Sequence, residues 1–337
     1  MKVAINGFGR IGRLLFRLIL EEDDIEVVAI NDLCDAKQLA HLLKYDTTQG
    51  SYRVDDISYD ESSIIVGSKK IKVFFEMDPL KLPWGALDVD VVLECTGKFV
   101  KLEGASLHIE SGAKKVVVSA PCKGDVKTIV YNVNDDILDG SEKVISAGSC
   151  TTNCLAPVLN LINNNFGIKK GYMTTIHAVT NDQVILDGEH KKGIESRRGR
   201  CAFMNIVPTS TGAASGIGKV IPCLEGKLNG SAMRVPVGTG SVIDLVLELD
   251  RDVTVLEIND MFKNNSNETV HFTMDPIVSS DVIGTSYGAL VDGLLTDVLD
   301  TNDGQLVKIV AWYDNEMGYC NQMLRTIKKL KWCRPLI

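Results

Sequence analysis

The sequence predicts two domains of different class. Residues 1–148, closed by a C-terminal helix over 316–337, read as an α/β domain with a doubly wound, mostly parallel sheet. Residues 149–315 read as an α+β domain with a mostly antiparallel sheet. Three observations carry this. Apolar strand patterns alternate with helical ones through the first 148 residues. Beyond residue 167 the strands lengthen and alternate apolar with polar residues. The thiol-bearing stretch Ser149-Cys150-Thr151-Thr152-Asn153-Cys154 stands at the change of texture. At 337 residues the chain is long enough for two cores.

Residues 2–6 read as a short buried strand, followed by Gly7-Phe8-Gly9-Arg10-Ile11-Gly12 and the helical spacing Ile11, Leu14, Leu15, Leu18, Ile19. This is G-x-G-x-x-G between a strand and a helix. Gly7 permits the tight turn, Gly9 lets a pyrophosphate approach the backbone, and Gly12 lets the helix pack close. A second apolar strand over 25–31 leads to Asp32, 20 residues after Gly12, where an acid binds a ribose 2′-hydroxyl. Four features in register outweigh the rival reading, a glycine turn in some other α/β unit with Asp32 as a helix cap, and give a Rossmann-type dinucleotide site. No arginine stands beside Asp32 in Leu33-Cys34-Asp35, so a 2′-phosphate would face an unopposed carboxylate and NAD is expected over NADP.

A helix with Leu39, Ala40, Leu42 and Leu43 on one face comes next, then short strands over 64–66 and 71–75. Buried strands over 89–94 and 115–119 end in Cys95-Thr96-Gly97 and Ser119-Ala120-Pro121, and segments 130–133 and 144–146 complete the domain.

Leu155, Val158, Leu159, Ile162 and Phe166 recur at helical spacing, so a helix starts near Cys150 with Ser149 as N-cap. In its first turn the helix dipole lowers a thiol's pKa, which makes Cys150 a candidate nucleophile, while Cys154 one turn on is a core residue. The strand over 172–179 carries His177 as the candidate base, and a thiolate–imidazolium pair is expected. Further strands are predicted over 242–249, 287–291 and 306–313, with helices over 212–221 and 255–264. Segment 182–207 has no periodicity, and a loop that long is usually functional. It contains Arg197, Arg198 and Arg200, individually most simply a solvated loop face, and leads to Pro208-Thr209-Ser210-Thr211-Gly212, a helix start suited to an oxyanion. Arg234, among Met233, Val235 and Pro236, reads instead as an anion ligand. The closing helix carries Met323, Leu324, Ile327 and Leu330, with Lys328, Lys329 and Lys331 complementing its dipole.

No apolar run is long enough to cross a bilayer, and the first residues enter a strand without a signal region, which together predict a cytoplasmic protein. Nine cysteines without a CxxC pair or a His/Cys cluster fit free thiols and no metal site. A net charge of −8 argues against nucleic acid as a main partner.

The chain resembles the phosphorylating glyceraldehyde-3-phosphate dehydrogenases over nearly its whole length. Ser149-Cys150-Thr151-Thr152-Asn153-Cys154, Thr175-Ile176-His177-Ala178-Val179-Thr180 and Pro208-Thr209-Ser210-Thr211-Gly212-Ala213-Ala214 carry the resemblance, with Trp312-Tyr313-Asp314-Asn315-Glu316 near the end. It implies a glycolytic and gluconeogenic homotetramer acting on glyceraldehyde 3-phosphate and inorganic phosphate through a Cys150 hemithioacetal and thioester. It implies Cys150 as nucleophile and His177 as base. Thr180 and Arg234 would hold the substrate phosphate, and Ser149, Thr151, Thr211, Gly212 and Arg198 the inorganic one. NAD would take Arg10 and Ile11 under its pyrophosphate with the three glycines, Asp32 on the adenosine ribose, Met77 and Ser119, and Asn315 at the nicotinamide amide. Erythrose-4-phosphate dehydrogenase, or a binding protein retaining the fold, are the alternatives.

Overall fold

The computed structural model describes residues 1–332, and the chain divides into two compact units. The tail of the expected 316–337 helix, residues 333–337, and the side chain of Lys331 lie outside the described residues.

The first unit takes Met1–Ile129, Asp135–Ser149 and the chain from Met323 on. Its strands are β1 (Lys2–Asn6), β2 (Glu26–Asn31), β3 (Ile57–Asp60), β4 (Ser63–Val66), β5 (Lys69–Phe74), β6 (Val91–Glu94), β7 (Lys115–Val118) and β8 (Val144–Ser146). Helices α1 (Arg10–Ile19), α2 (Ala36–Lys44) and α3 (Leu102–Glu110) connect them. The sheet order is β3-β4-β5-β2-β1-β6-β7-β8. All pairs from β5 to β8 are parallel, and only the β3–β4–β5 edge is antiparallel. The chain leaves β1 toward β2 on one side and later returns to β6 on the other. That reversal is the switch point at which α/β sheets open a ligand cleft beyond the strands' carboxyl ends.

Two local expectations change here. Edge strand β3 was not expected, because only Ile57 of its first three residues is buried and the apolar signal is weak. Residues 130–133 are a turn rather than a strand, and they group with the second unit. The Asn134 side chain accepts the Val130 N–H at 2.8 Å and Asn132 is left-handed at φ 62°, so the chain closes on itself there.

The second unit takes Val130–Asn134 and Cys150–Gln322. It contains α4 (Cys150–Phe166), β9 (Ile168–His177), β10 (Val207–Ser210), β11 (Leu228–Arg234), β12 (Ser241–Leu249), α5 (Val255–Asn264), β13 (Val270–Thr273), β14 (Ala289–Asp292), β15 (Asp297–Thr301) and β16 (Gly304–Tyr313). The last helix, α6 (Met317–Trp332), begins in this unit and continues in the first. The sheet runs β10-β11-β9-β12-β16-β14-β13, with β15 on β16. Its pairs are antiparallel except β11–β9 and β13–β14. Leu155, Val158, Leu159 and Ile162 of α4 share one core with Met173, Ile243, Leu245, Leu247 and Ile309 of the sheet. The N-terminus of α5 is fixed by a capping box: Thr254 Oγ1 accepts the Glu257 N–H, and Glu257 accepts the Thr254 N–H.

Residues 212–221 do not form the expected α-helix. They make turns and a single 3₁₀ turn, Ile217–Lys219. Gly212, Gly216 and Gly218 weaken helical propensity by about 1 kcal/mol each. The backbone also packs closely here, since a Cβ at Gly218 would lie 2.9 Å from the Glu225 Cα.

Candidate active site

Each unit presents a distinct cluster. In the first, Gly7 has φ +93° and donates its N–H to Asn31 O at 2.8 Å. A Cβ at Gly12 would lie 2.1 Å from Gly7 O, so α1 can seat on the turn only without one. Gly9 is the N-cap of α1, and a Cβ there would meet nothing within 4 Å, which leaves the space a pyrophosphate needs. Arg10 and Ile11 open the helix, where first-turn N–H groups lack intrahelical acceptors. The Arg10 side chain turns to Asp46 and Thr48. Burial opposes the Asp46 carboxylate, but Arg10 and the N–H groups of Gln49 and Thr48 outweigh it and hold its pKa at about 2.

Asp32 accepts N–H bonds from Phe8 at 2.7 Å and Cys34 at 3.1 Å, and among the described residues no cation pairs with it. Asp32 and Met77 line a cleft of about 260 Å³ with Gly7 and Gly9. These residues fit a dinucleotide with a free ribose 2′-hydroxyl. Ser119 follows β7, its N–H bonded to Glu94 O at 3.0 Å.

In the second unit α4 starts at Cys150, whose half-buried Sγ lies 3.3 Å from His177 Nε2 at the end of β9. The parallel register of β9 and β11 sets Arg234 opposite His177. Arg234 Nη1 stands 2.5 Å from His177 Nδ1 and donates to Ala178 O at 3.0 Å, and Nδ1 is itself 2.7 Å from Ala178 O. Burial first, and the Arg234 charge second, lower the His177 pKa from 6.5 to about 3. Burial also pushes the Cys150 thiol up, opposed by the Arg234 charge and by Thr151. Burial thus works against the expected thiolate–imidazolium pair, pushing the Cys150 thiol up and the His177 imidazole down.

Thr151 is buried with its hydroxyl 3.0 Å from Tyr313 Oη, which also meets Thr175 Oγ1 at 2.8 Å. That hydroxyl is committed rather than presented to an anion pocket. Around the long loop, Asp182 gathers both remaining groups: Thr180 Oγ1 donates to it at 2.5 Å and Arg198 pairs with it. Burial would raise the Asp182 pKa, but Thr180, Arg198 and Arg234 together lower it. Of the arginine run only Arg198 is drawn in, with 13% of its side chain exposed and Nε on Thr209 Oγ1 at 3.2 Å. Arg200 instead pairs with Asp187 at the surface. Thr211 accepts the Ala213 N–H at 3.2 Å, and with no helix over 212–221, Thr211 and Gly212 offer a loop rather than a helix terminus. Ser149 is the residue immediately before α4.

Asn315 is 5% exposed, and its carboxamide oxygen accepts from Ser241 Oγ at 2.8 Å and Gly240 N at 3.2 Å, while the neighbouring Thr239 hydroxyl donates to Asp314 at 3.0 Å. Two donors on the oxygen fix the carboxamide's orientation, so its NH₂ points the other way as a donor.

A family model described as the glyceraldehyde 3-phosphate dehydrogenase NAD binding domain matches residues 1–102, and that of the C-terminal domain matches 149–315. Glyceraldehyde-3-phosphate dehydrogenases of Clostridium pasteurianum and Clostridium acetobutylicum are each 59% identical to this chain, over 97% of either sequence. That of Streptococcus pyogenes is 55% identical over 97%. The chain belongs to the glyceraldehyde-3-phosphate dehydrogenase family. The NAD binding domain match covers the glycine turn and strands β1 to β6 of the first unit's sheet.

Within this family member the sequence reading missed Asp182, Tyr313 and Asp314. Asp314 accepts the N–H groups of Glu316 and Met317 at 2.8 and 3.0 Å and that of Gly284 at 2.8 Å, so it caps α6 and anchors a distant loop. An acid just before a helix start was the available signal. For Asp182 and Tyr313 no local pattern marks the role.

Proposed function

We propose that this chain catalyses the NAD-dependent phosphorylating oxidation of D-glyceraldehyde 3-phosphate to 1,3-bisphosphoglycerate, the oxidative step of glycolysis, with Cys150 as nucleophile and His177 as base. The 3.3 Å approach of Cys150 Sγ to His177 Nε2, with Arg234 in register behind the ring, carries this reading. A neutral imidazole has an Nε2 lone pair free to take the thiol proton, and Nδ1–H can then donate to Ala178 O. The sulfur bonds to the aldehyde carbon, and His177 returns the proton to the oxygen to give a hemithioacetal. His177 Nε2 then withdraws that hydroxyl proton as hydride leaves the carbon, and a thioester forms on Cys150. NAD, when bound, takes up the hydride. Phosphate oxygen attacks the thioester carbon, the carbon–sulfur bond breaks, and the thiolate recovers the proton from His177.

Arg234 and Thr180 would hold the substrate phosphate. A phosphate dianion on Arg234 neutralises the charge behind His177 and so raises its basicity when the thiol proton needs an acceptor. Arg198, Ser149, Thr211 and Gly212 would hold the inorganic phosphate, with Thr151 left to the sulfur and Tyr313. The NH₂ of Asn315 would donate to the nicotinamide carboxamide.

A homotetramer in the cytoplasm is part of this reading. Exposed apolar side chains along 182–207, among them Ile194 at 91% and Met204 at 83%, support burial against other subunits. Light scattering tests it. No helix among the described residues is long and apolar enough to cross a membrane.

Initial rates with glyceraldehyde 3-phosphate and with erythrose 4-phosphate, each with and without inorganic phosphate, test the activity. Phosphate-dependent NADH formation with the triose is expected. Faster, phosphate-independent turnover of the tetrose would overturn it.

A further inference from the structure

The first unit buries an ionisable group that no step above uses. Glu94, the last residue of β6, is 0% exposed, as is His108 on α3. A buried carboxylate is costly unless hydrogen bonds replace its water. Glu94 Oε1 accepts the Thr96 N–H at 2.8 Å and the Thr96 hydroxyl. Its Oε2 accepts from Asn6 Nδ2 at 2.6 Å and faces His108 Nε2 at 3.1 Å.

The direction of this chain of bonds is fixed from its ends. Trp84 Nε1 can only donate, and it donates to His108 Nδ1 at 3.0 Å, which leaves Nε2–H to donate to Glu94. On the other side Asn31 Nδ2 donates to Asn6 Oδ1 at 2.7 Å. Asn31 also clamps the main chain of Glu76, accepting its N–H and donating to its carbonyl, both at 2.9 Å. The carboxyl ends of the adjacent strands β2, β1 and β6 are thus tied together side chain to side chain. Asn6, Asn31, Glu76 and Thr96 line the nucleotide cleft. The Thr96 turn also bounds Gly7, where a Cβ would lie 2.8 Å from Thr96 N.

We propose that Trp84, His108, Glu94, Asn6 and Asn31 are positioning residues for the nucleotide cleft, Glu94 setting the Thr96 turn against Gly7 and Asn31 setting the Glu76 segment that carries Met77. Apolar side chains would pack these strand ends as well, but they could not hold two turns in fixed registry. The inference rests on the NAD reading of this cleft.

Calorimetric titration of NAD and of ADP-ribose into the full-length protein tests it, at a temperature where circular dichroism shows every variant folded. In Glu94→Gln the new amide must face donors whichever way it turns. Loss of one charged bond weakens both ligands about tenfold or more. In Glu94→Gln with Asn6→Asp the carboxylate moves to position 6, whose terminal atom is 3.3 Å from His108 Nε2. It can accept from His108, from Gln at 94 and from Asn31, and affinity should return to within about threefold of wild type. Val144→Ala, a core truncation in β8, lowers the melting temperature without changing either Kd. The proposal is overturned if Glu94→Gln binds within about twofold of wild type, if Val144→Ala weakens binding equally, or if the double variant binds no better than Glu94→Gln. A wild type that binds neither ligand would instead refute the NAD reading itself.

Discussion

Arg234, rather than His177, should supply the positive charge that the Cys150 sulfur feels. His177, held at about 3, is neutral at pH 7. Arg234 keeps its charge at any working pH. The guanidinium stands across the imidazole ring from the sulfur, with contacts of 3.3 and 2.5 Å on the ring's two sides. Unit charges roughly 7–8 Å apart at an effective dielectric of about 20 attract by about 2 kcal/mol. Arg234→Leu should therefore raise the midpoint of thiolate formation at Cys150 by about one to two pH units. His177→Asn removes only a neutral hydrogen bond, about 0.5–1.5 kcal/mol, and should move the midpoint by about one pH unit at most. The signs differ: Arg234→Leu loses a charge that stabilises the thiolate and shifts the midpoint upward, whereas His177→Asn loses an Nε2 acceptor that stabilises the thiol and shifts it slightly downward. The assay is the pH profile of iodoacetamide alkylation, with the modified cysteine identified by peptide mapping. Cys154 is fully buried and its thiol is pushed well up, so it should react far more slowly. If His177→Asn moves the profile further upward than Arg234→Leu does, His177 is an imidazolium at rest and the electrostatic account is wrong.

Asp32→Ala should weaken NAD by about ten- to a hundredfold and narrow its advantage over NADP, read from the two dissociation constants, since a charged hydrogen bond is lost. Equal efficiency with both cofactors in the unmodified protein would sink the assignment. Gly12→Ala should cost about 1–3 kcal/mol by urea unfolding as α1 is forced off Gly7 O. Gly9→Ala should leave stability nearly unchanged yet weaken NAD, because its Cβ enters empty space that the pyrophosphate needs. Arg198→Leu should chiefly raise the KM for inorganic phosphate and Arg234→Leu that for the phosphorylated aldehyde; changes confined to phosphate dependence in both would refute the partition. Thr254→Ala should lower stability by about 1 kcal/mol through loss of the α5 capping box, without affecting turnover.

What the sequence determined by itself is what nearest neighbours encode. The glycine turn, its flanking strand and helix, and Asp32 lie within one βαβ stretch, so spacing alone specifies their geometry. Burial periodicity likewise located every strand of the first sheet but β3, because side chains alternate in strands whatever their partners, yet in the second sheet it located only β9, β12, β14 and β16 and missed β10, β11, β13 and β15. It failed at 130–133 and 212–221, where apolar residues suggested regular elements that a left-handed Asn132 and three glycines do not allow. Tertiary structure alone decided what depends on register and desolvation. The β9–β11 pairing brings Arg234 to His177 across 57 residues, and the fold of 182–207 selects Arg198 over its neighbours. Protonation was the least legible property. The helix start at Cys150 could be read from spacing, but the thiol's pKa is set by the burial and distant charges that sum at one sulfur. The Glu94 relay is the same case: each residue looked like an ordinary strand or helix position, and only the assembled sheet aims their polar atoms at one carboxylate.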